Sequence, residues 1–296
     1  MPAAADAAAT TAHVKLAVVI PAYNEERAIH ETVVKVRDAL QDQPYSWEVV
    51  IVNDGSTDGT LAAAQSSGAR VIDSVVNGGY GSALKAGITA SSSDYVAIID
   101  ADGTYPAEQL PRMCEIAQGV DMVVGDRGAA MKNVPLLRRP AKWFLNSLAN
   151  YLAERRIPDL NSGMRIFRRS ALLPFVPLLP SGFSFTTTIT MCMLSTHARV
   201  AYVPIAYGKR IGSSKIKPQD LFRFVLLVLR ICMLFNPLRI FLPLGAVLFA
   251  IGAVKAVYDV FLMNLSESAV FAMLAAIIVW SLGLIADMIS RLHLRP

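Results

Sequence analysis

Residues 98–106 read IIDADGTYP, an apolar run that stops at two aspartates separated by one alanine. Asp and Gly favour turns, so an ordinary solvated turn would use the same letters. The ends of the other apolar runs decide between a turn and a site. VKLAVVIPAYNEE (14–26) is a β-branched run halted by Pro21, and SWEVVIVNDGSTDGT (46–60) is a second, halted by a turn cluster. Between them, residues 25–40 place Ile29, Val33, Val36 and Leu40 at helical spacing. GARVIDSVVN (68–77) and SSSDYVAIIDAD (91–102) repeat the strand pattern, with GYGSALKAGITAS (79–91) as the helix between. Strand and helix units alternating at this length predict an α/β domain with a mostly parallel sheet covered by helices. Ligands of such sheets bind at the carboxyl ends of the strands, where Tyr23, Asp54, Asn77 and Asp100 all fall. The two aspartates therefore stand on the expected ligand edge.

Downstream, MVVGDRG (122–128) reads as a further strand and loop, and residues 134–156 as a helical segment carrying Trp143, Phe144 and Tyr151. DLNSGMRIFRRSAL (159–172) and GFSFTTTITMCML (182–194) follow as loop, short strand and helix. ARVAYVPIAYGKRIGSSKIKP (198–218) is a strand that leads into a basic loop. No internal repeat is present.

Composition then changes. The chain is 54% hydrophobic with a mean hydropathy of +0.44, high for a soluble protein, and the excess lies in residues 221–294. In residues 219–235, Arg223 and Arg230 stand two turns apart on one face, which suits a helix lying in a membrane interface; a buried core helix would share the pattern. Residues 238–263 and 269–290 each supply the ~20 apolar residues of a membrane span. Lys255 and Asp259 interrupt the first, spaced to pair and snorkel outward. The connection NLSES (264–268) has no Lys or Arg, whereas Arg239 precedes the first span and Arg291 and Arg295 follow the second, so both ends of the hairpin are expected in the cytoplasm. The expected organisation is a disordered tail (1–14), a catalytic domain (15–218), an amphipathic interfacial helix (219–236) and a transmembrane hairpin (237–296).

A net charge of +5 raises nucleic acid as a partner, but no nucleic-acid motif accompanies the basic clusters at 138–142, 165–169 and 209–217. Beside a membrane segment they are assigned to lipid phosphates and anionic headgroups. Cys114, Cys192 and Cys232 lie far apart without a CxxC pair, and the four histidines are scattered, which excludes a disulfide framework and a His/Cys zinc site. The opening MPAAADAAATTAH lacks the basic and apolar regions of a signal peptide. The globular part is thus expected in the reducing cytoplasm.

Carboxylates at i and i+2 after a buried strand suit a Mg²⁺ site, which combines one or two carboxylates with phosphate oxygens. Glu25 and Asp54 stand on the same edge. Asp54, Ser56, Asp58 and Gly59 imitate the start of an EF-hand, but the twelfth position is Gln65, where a bidentate Glu is needed, and a strand replaces the entering helix. NGGYGS (77–82) matches neither GxGxxG nor the P-loop, so ordinary dinucleotide or ATP binding is not indicated.

Taken together, VVIPAYNEE, VNDGSTDGT, NGGYGSALKAGI, IIDADGTYP and DLNSGMRIFRR resemble the GT-A fold glycosyltransferases of family two. With the apolar hairpin, the chain is most similar to the polyprenyl-phosphate glycosyltransferases, the group of dolichyl-phosphate mannose synthases and bacterial undecaprenyl-phosphate glucosyltransferases. The resemblance by motif covers residues 16–217. It implies a GT-A catalytic domain followed by an interfacial helix and two transmembrane helices. It also implies that Pro21, Tyr23, Glu25 and Asp54 contact the base and ribose of a UDP- or GDP-sugar. Asp100 and Asp102 form a DxD-like motif, with Asp102 ligating Mg²⁺ or Mn²⁺ and Asp100 meeting the diphosphate or the metal's shell. Thr104 stands where some relatives carry a glutamine, which leaves the third ligand open. Asp159 matches the acidic residue assigned to catalysis in the family; as a loop carboxylate it would equally bond nearby backbone amides. Arg210 and Lys215, with Ser214 as an added donor, are implied near the lipid phosphate. The implied reaction is a single, inverting transfer of sugar to polyprenyl phosphate, since the QxxRW signature of processive synthases is absent. A dimer or tetramer is a further implication. The rivals are a glycosyltransferase for another lipid or a growing polysaccharide, and a membrane-anchored nucleotide-sugar sensor; the presence of both aspartates favours an enzyme.

Overall fold

β1 (Lys15–Ala22) is buried on both faces because it lies inside the sheet. Its alternating side chains divide between two apolar layers, with Leu16, Val18, Ile20 and Ala22 in one and Val19 in the other. β2 (Ser46–Asp54) runs parallel beside it, and β3 (Arg70–Ser74) continues outward. The chain then crosses to the other side of β1, where β4 (Tyr95–Ile98) pairs in parallel. β5 (Met122–Asp126), β6 (Arg165–Arg168) and β7 (Val200–Pro204) complete a seven-stranded sheet in the order β3-β2-β1-β4-β6-β5-β7. β6 is antiparallel to both β4 and β5, so the sheet is mostly parallel but mixed. The departure from a strict βα alternation has a simple cause: β6 starts with Arg165 opposite Ile98, the last residue of β4, and so enters its slot from the ligand edge.

The computed structural model describes residues 14–128, 155–182, 184–208, 235–262 and 266–293, with Ser147, Asn150, Tyr151, Leu226, Leu229 and Met233 besides. The expected helix at 134–156, the interfacial helix at 219–236 and the loop carrying Arg210, Ser214 and Lys215 fall largely or wholly outside them.

One face of the sheet is covered by α1 (Ile29–Leu40) and α4 (Leu110–Ala117). Ile29, Val33, Val36 and Leu40 of α1 are all fully buried, and each such side chain stabilises the fold by about 1.5–3 kcal/mol relative to exposure. α2 (Thr60–Ser66) follows β2, and α3 (Tyr80–Ala90) packs Ala83, Leu84 and Ile88 on the opposite face. A short helix, α5 (Arg169–Leu172), follows β6, and α6 (Phe185–Ser195) joins α3 on its face through Phe185, Ile189 and Met193. α6 is buried along almost its whole length despite four threonines. Two of the hydroxyls are satisfied within the helix: Thr188 Oγ1 donates to Ser184 O (2.8 Å) and Thr190 Oγ1 to Thr186 O (2.7 Å). Burial pushes the Cys114 thiol up to about 11 and that of Cys192 up to about 12, so both are inert core groups.

Contacts divide the chain into two units, Met1–Asn146 with Arg155–Pro218, and Ser147–Glu154 with Gln219–Pro296. Ser147–Glu154 thus groups with the carboxyl-terminal helices, whereas its sequence position suggested the first domain. In the second unit, α7 (Leu238–Phe261) and α8 (Glu267–His293) are apolar helices long enough to cross a membrane. Their 24 and 27 residues span ~36 and ~40 Å at 1.5 Å per residue, against a hydrocarbon core of ~30 Å. Small residues set how closely the two helices approach: a Cβ on Gly245 would lie 2.3 Å from Trp280 Nε1, and one on Gly283 2.5 Å from Phe241 Cβ. Pro243 has no N–H to offer the carbonyl of Arg239, and the Tyr151 hydroxyl donates to that carbonyl instead (3.3 Å). The Arg239 guanidinium lies over the Tyr151 ring and donates to the Tyr151 carbonyl.

Lys255 and Asp259 pair as their spacing suggested, with 3.5 Å between Nζ and Oδ1. Only Lys255 reaches outward. Asp259 is buried and accepts the backbone N–H of Ser266 (3.1 Å) and its hydroxyl, closing the turn at the head of α8.

Candidate active site

The order β3-β2-β1-β4 makes β1 and β4 the place where the chain reverses direction across the sheet, and the crevice at their carboxyl ends is where an open α/β sheet binds ligands. Three loops meet there, each tied by side chains the sequence had marked. The first follows β1. Asn24, with φ at 56°, accepts the Thr57 N–H through Oδ1 (2.9 Å) and donates its own N–H to Ser56 Oγ (3.1 Å). Glu25 N–H donates to Thr60 Oγ1 (2.8 Å), whose hydroxyl donates to Asp58 Oδ1 (2.5 Å). Ser56 and Asp58 are thereby engaged in tying these loops. Pro21 is buried, Glu25 half-buried and Tyr23 exposed on the same rim.

The second loop, NGGYGS, is explained by Asp54. This last residue of β2 is buried, and its two oxygens accept the N–H groups of Gly78 and Gly79, both at 2.8 Å. Gly79 has φ at 92°, and a Cβ there would lie 2.7 Å from the carbonyl of Ser181, so both conformation and space demand glycine. The loop places Tyr80 at the start of α3, and the Tyr80 hydroxyl donates to Asp100 Oδ1 (2.8 Å). Burial first, then the charge of Asp100, push the Tyr80 hydroxyl well above the ordinary phenol range, so it stays a donor.

The third loop is the opening stretch itself. Asp102 Oδ1 accepts both the N–H (3.1 Å) and the hydroxyl (2.6 Å) of Thr104. Thr104 is buried and uses its proton to aim the carboxylate, so the position left open as a third ligand is a second support for the first. Asp100 and Asp102 are both half-buried.

Asp159 sits in the connection before β6 and is 4% exposed. Arg127, just past β5, grips it with Nε (2.7 Å) and Nη2 (2.9 Å) and adds its backbone N–H (3.2 Å); Asn161 N–H contributes a fourth bond (3.1 Å). Burial would push this carboxyl up, but the hydrogen bonds and charge of Arg127 outweigh it and hold Asp159 below the usual carboxylate range. The guanidinium lies 5.3 Å from the ring centroid of Tyr207, which meets Tyr105 edge-on at 5.0 Å. Further along the loop, Gly163 donates its N–H to the Tyr105 hydroxyl (2.6 Å), and a Cβ on it would lie 2.5 Å from Asp100 Oδ2. Gly163 therefore brings the Asp159 loop against the Asp100 carboxylate.

Two arginines escaped the sequence reading. Arg127 stands at the ligand end of a buried strand, a position that was the available signal. Arg165 was grouped with Arg168 and Arg169 in a lipid-facing basic cluster, and the structure corrects this: Arg165 is completely buried, because it opens a strand that runs between two others. Arg210, Ser214 and Lys215 lie outside the described residues.

Comparison with known proteins bears on the family and the fold. Residues 17–173 match the model of Glycosyl transferase family 2, and residues 236–292 match the GtrB C-terminal hairpin. A dolichyl-phosphate hexose transferase of Haloferax volcanii is 37% identical over 205 residues, covering 69% of this chain and 87% of its own. An undecaprenyl-phosphate mannosyltransferase of Micrococcus luteus is 29% identical over 212 residues, 67% of this chain and 86% of its own. An undecaprenyl-phosphate 4-deoxy-4-formamido-L-arabinose transferase of Salmonella choleraesuis is 26% identical over 301 residues, 94% of this chain and 89% of its own. Among solved structures, glucosyl-3-phosphoglycerate synthase from Mycobacterium tuberculosis, in complex with Mn²⁺, uridine diphosphate and glucosyl-3-phosphoglycerate, superposes with a TM-score of 0.57 at 24% identity, covering 74% of this chain and 80% of that one. That likeness is one of fold.

Proposed function

The chain belongs to glycosyl transferase family 2, and from that premise we propose that it transfers a sugar from a nucleoside-diphosphate sugar to the phosphate of a polyprenyl phosphate at a membrane surface. One observation carries the reading: a family 2 domain whose carboxylates converge at the switch point of the sheet is followed in the same chain by a GtrB-type apolar hairpin, as a lipid-linked acceptor requires. The relatives named for transfer to dolichyl and undecaprenyl phosphate support the acceptor class.

The donor side fits a divalent ion. Among the described residues no three acidic, His or Cys side chains group together, so an ion held by Asp102 and Asp100 would need further ligands from the diphosphate and water, the usual habit of Mg²⁺. Asp102, aimed by Thr104, would ligate Mg²⁺ or Mn²⁺, and Asp100, held by Tyr80, would meet the shell or the diphosphate. When bound, the ion offsets charge on the departing diphosphate. Pro21, Tyr23, Glu25 and Asp54 line the rim assigned to base and ribose.

Asp159 acts as a fixed anion. Its lowered pKa makes it a poor proton acceptor, and a phosphate monoester with a second pKa near ~6 is largely dianionic at neutral pH, so the acceptor needs no base. Asp159 instead sets the Arg127 fork, whose remaining donors suit a phosphate oxygen. Direct attack of the acceptor oxygen on the anomeric carbon, with the nucleoside diphosphate leaving, would give inversion, and the family resemblance assigns Arg210, Ser214 and Lys215 to the lipid phosphate. The Lys/Arg asymmetry supports a hairpin with both ends in the cytoplasm.

Detergent-solubilised protein offered UDP- and GDP-sugars with undecaprenyl or dolichyl phosphate is expected to form a lipid-soluble glycosyl phosphate in Mg²⁺ or Mn²⁺. Transfer to a polysaccharide alone, or donor binding without transfer, would overturn the reading. For topology, a cysteine replacing Ser268 is expected to react with an impermeant maleimide added to intact cells; reaction only after lysis would reverse the hairpin.

A further inference from the structure

Arg165 has the largest side chain among the fully buried described residues, and burial disfavours its charged form. Among the described residues it forms no ion pair. Its donors end on neutral atoms instead: Nε on the carbonyl of Ser162 (2.7 Å), Nη2 on the carbonyl of Leu160 (2.9 Å), and Nη1 on Thr190 Oγ1 (2.5 Å), with Met122 Sδ at 3.7 Å. The Asp159 charge acts on Arg165 only from a distance, and a buried cation with no carboxylate in direct contact is costly; methionine or leucine would fill similar space at lower cost. Packing alone does not account for it.

The two carbonyls it holds flank Asn161. They belong to the loop that starts at Asp159, which grips Arg127, and ends at Gly163, which abuts Asp100 Oδ2. A planar fork with fixed donor spacing sets the separation of those carbonyls in a way a single ammonium cannot. α6 backs the arrangement from the other side, through Thr190 and through the bond from the Thr187 hydroxyl to Asn161 Oδ1. We infer that Arg165 is a positioning residue: by clamping the carbonyls of Leu160 and Ser162 it holds the Asp159–Arg127 pair and the Asp100 carboxylate in the geometry that sugar transfer requires. The inference rests on the proposed function, in which a nucleoside diphosphate and a divalent ion occupy that edge.

The test compares Arg165→Lys, which keeps the charge and loses the fork, with Thr190→Val, which removes one bond to the same guanidinium and leaves both carbonyl clamps. Rates are normalised to the folded fraction. Arg165→Lys is expected to lower kcat about 10²-fold while the donor KM rises no more than about tenfold, the larger loss in kcat marking misplacement by a fraction of an ångström to about 1 Å. It is also expected to weaken Mn²⁺-dependent binding of UDP or GDP about tenfold and leave metal-free binding unchanged. Thr190→Val should stay within about threefold in kcat. Equal losses in both variants, or normal kcat per folded molecule in Arg165→Lys, would reduce Arg165 to a fold element. Should Arg165→Lys fail to fold, Asn161→Ala loosens the same loop without disturbing the buried charge; it is expected to lose about tenfold in kcat with KM preserved, and no loss would overturn the inference. A wild-type protein that transfers nothing, yet shows Mn²⁺-dependent nucleotide binding weakened by Arg165→Lys, would sink the functional reading and keep this one.

Discussion

Asp102→Asn is expected to lower kcat for sugar transfer at least about 10³-fold, a loss of roughly 4 kcal/mol in transition-state stabilisation, with the fold intact. The substitution is nearly isosteric. Asparagine keeps an oxygen that can accept the Thr104 N–H and hydroxyl, so the turn after β4 retains its geometry. Asp102 lies in a half-buried loop and contributes nothing to either apolar layer, and changes at such positions usually stay within about 0.5 kcal/mol of stability. What disappears is one negative charge at the site that has to attract a divalent cation beside a diphosphate. Mg²⁺ and Mn²⁺ titrations of kcat, run beside a thermal melt, separate the two effects. Normal turnover at saturating metal would remove Asp102 from the metal site, and a collapsed melt would make it a structural residue.

Much of this site was legible because its residues fall where local pattern is strongest. β-branched runs pointed to strand ends near Pro21, Asp54 and Asp100, although β1 continues through Pro21 to Ala22, and Ile29, Val33, Val36 and Leu40 kept a helical period. Both are one-dimensional signals of which face is buried. TLAAAQS (α2) and LPRMCEIA (α4) were not singled out as helices, since each spans about two turns and offers too few apolar repeats to fix a period. The direction of β6 was not legible either: four residues, RIFR, look the same whichever way they run, and pairing between β4 and β5 is decided by the sheet. Arg127 finds its partner 32 residues away, and Arg165 bonds Thr190 25 residues on. The local sequence around Arg165 shows only basic neighbours, which pointed to a lipid surface; its burial follows from strand order, which no local pattern carries.

The Arg127–Asp159 pair should have the largest effect on stability. Side-chain exposures of 12% and 2% put both charges largely out of water, so removing one leaves the other buried and uncompensated. Arg127→Met is expected to cost about 3–5 kcal/mol at neutral pH, measured by chemical denaturation, whereas Arg127→Met combined with Asp159→Leu should recover part of that by removing both charges. The sign of the pH dependence follows from the directions of the shifts. In the wild type the Asp159 carboxyl is held below its unfolded value of about 3.9, so its contribution is fully present above that value and is lost as pH falls through the folded pKa. In Arg127→Met burial acts without the opposing cation, and the folded pKa moves above the unfolded one. Any stability the protonated acid then contributes is present below about pH 3.9 and disappears as pH rises. The gap between the two proteins must therefore be widest near neutrality and narrow on acidification. A gap that is flat from pH 7 to pH 4, or a loss under 1 kcal/mol, would mean that water reaches the pair and that Asp159 is not the buried anion from which its positioning role was argued.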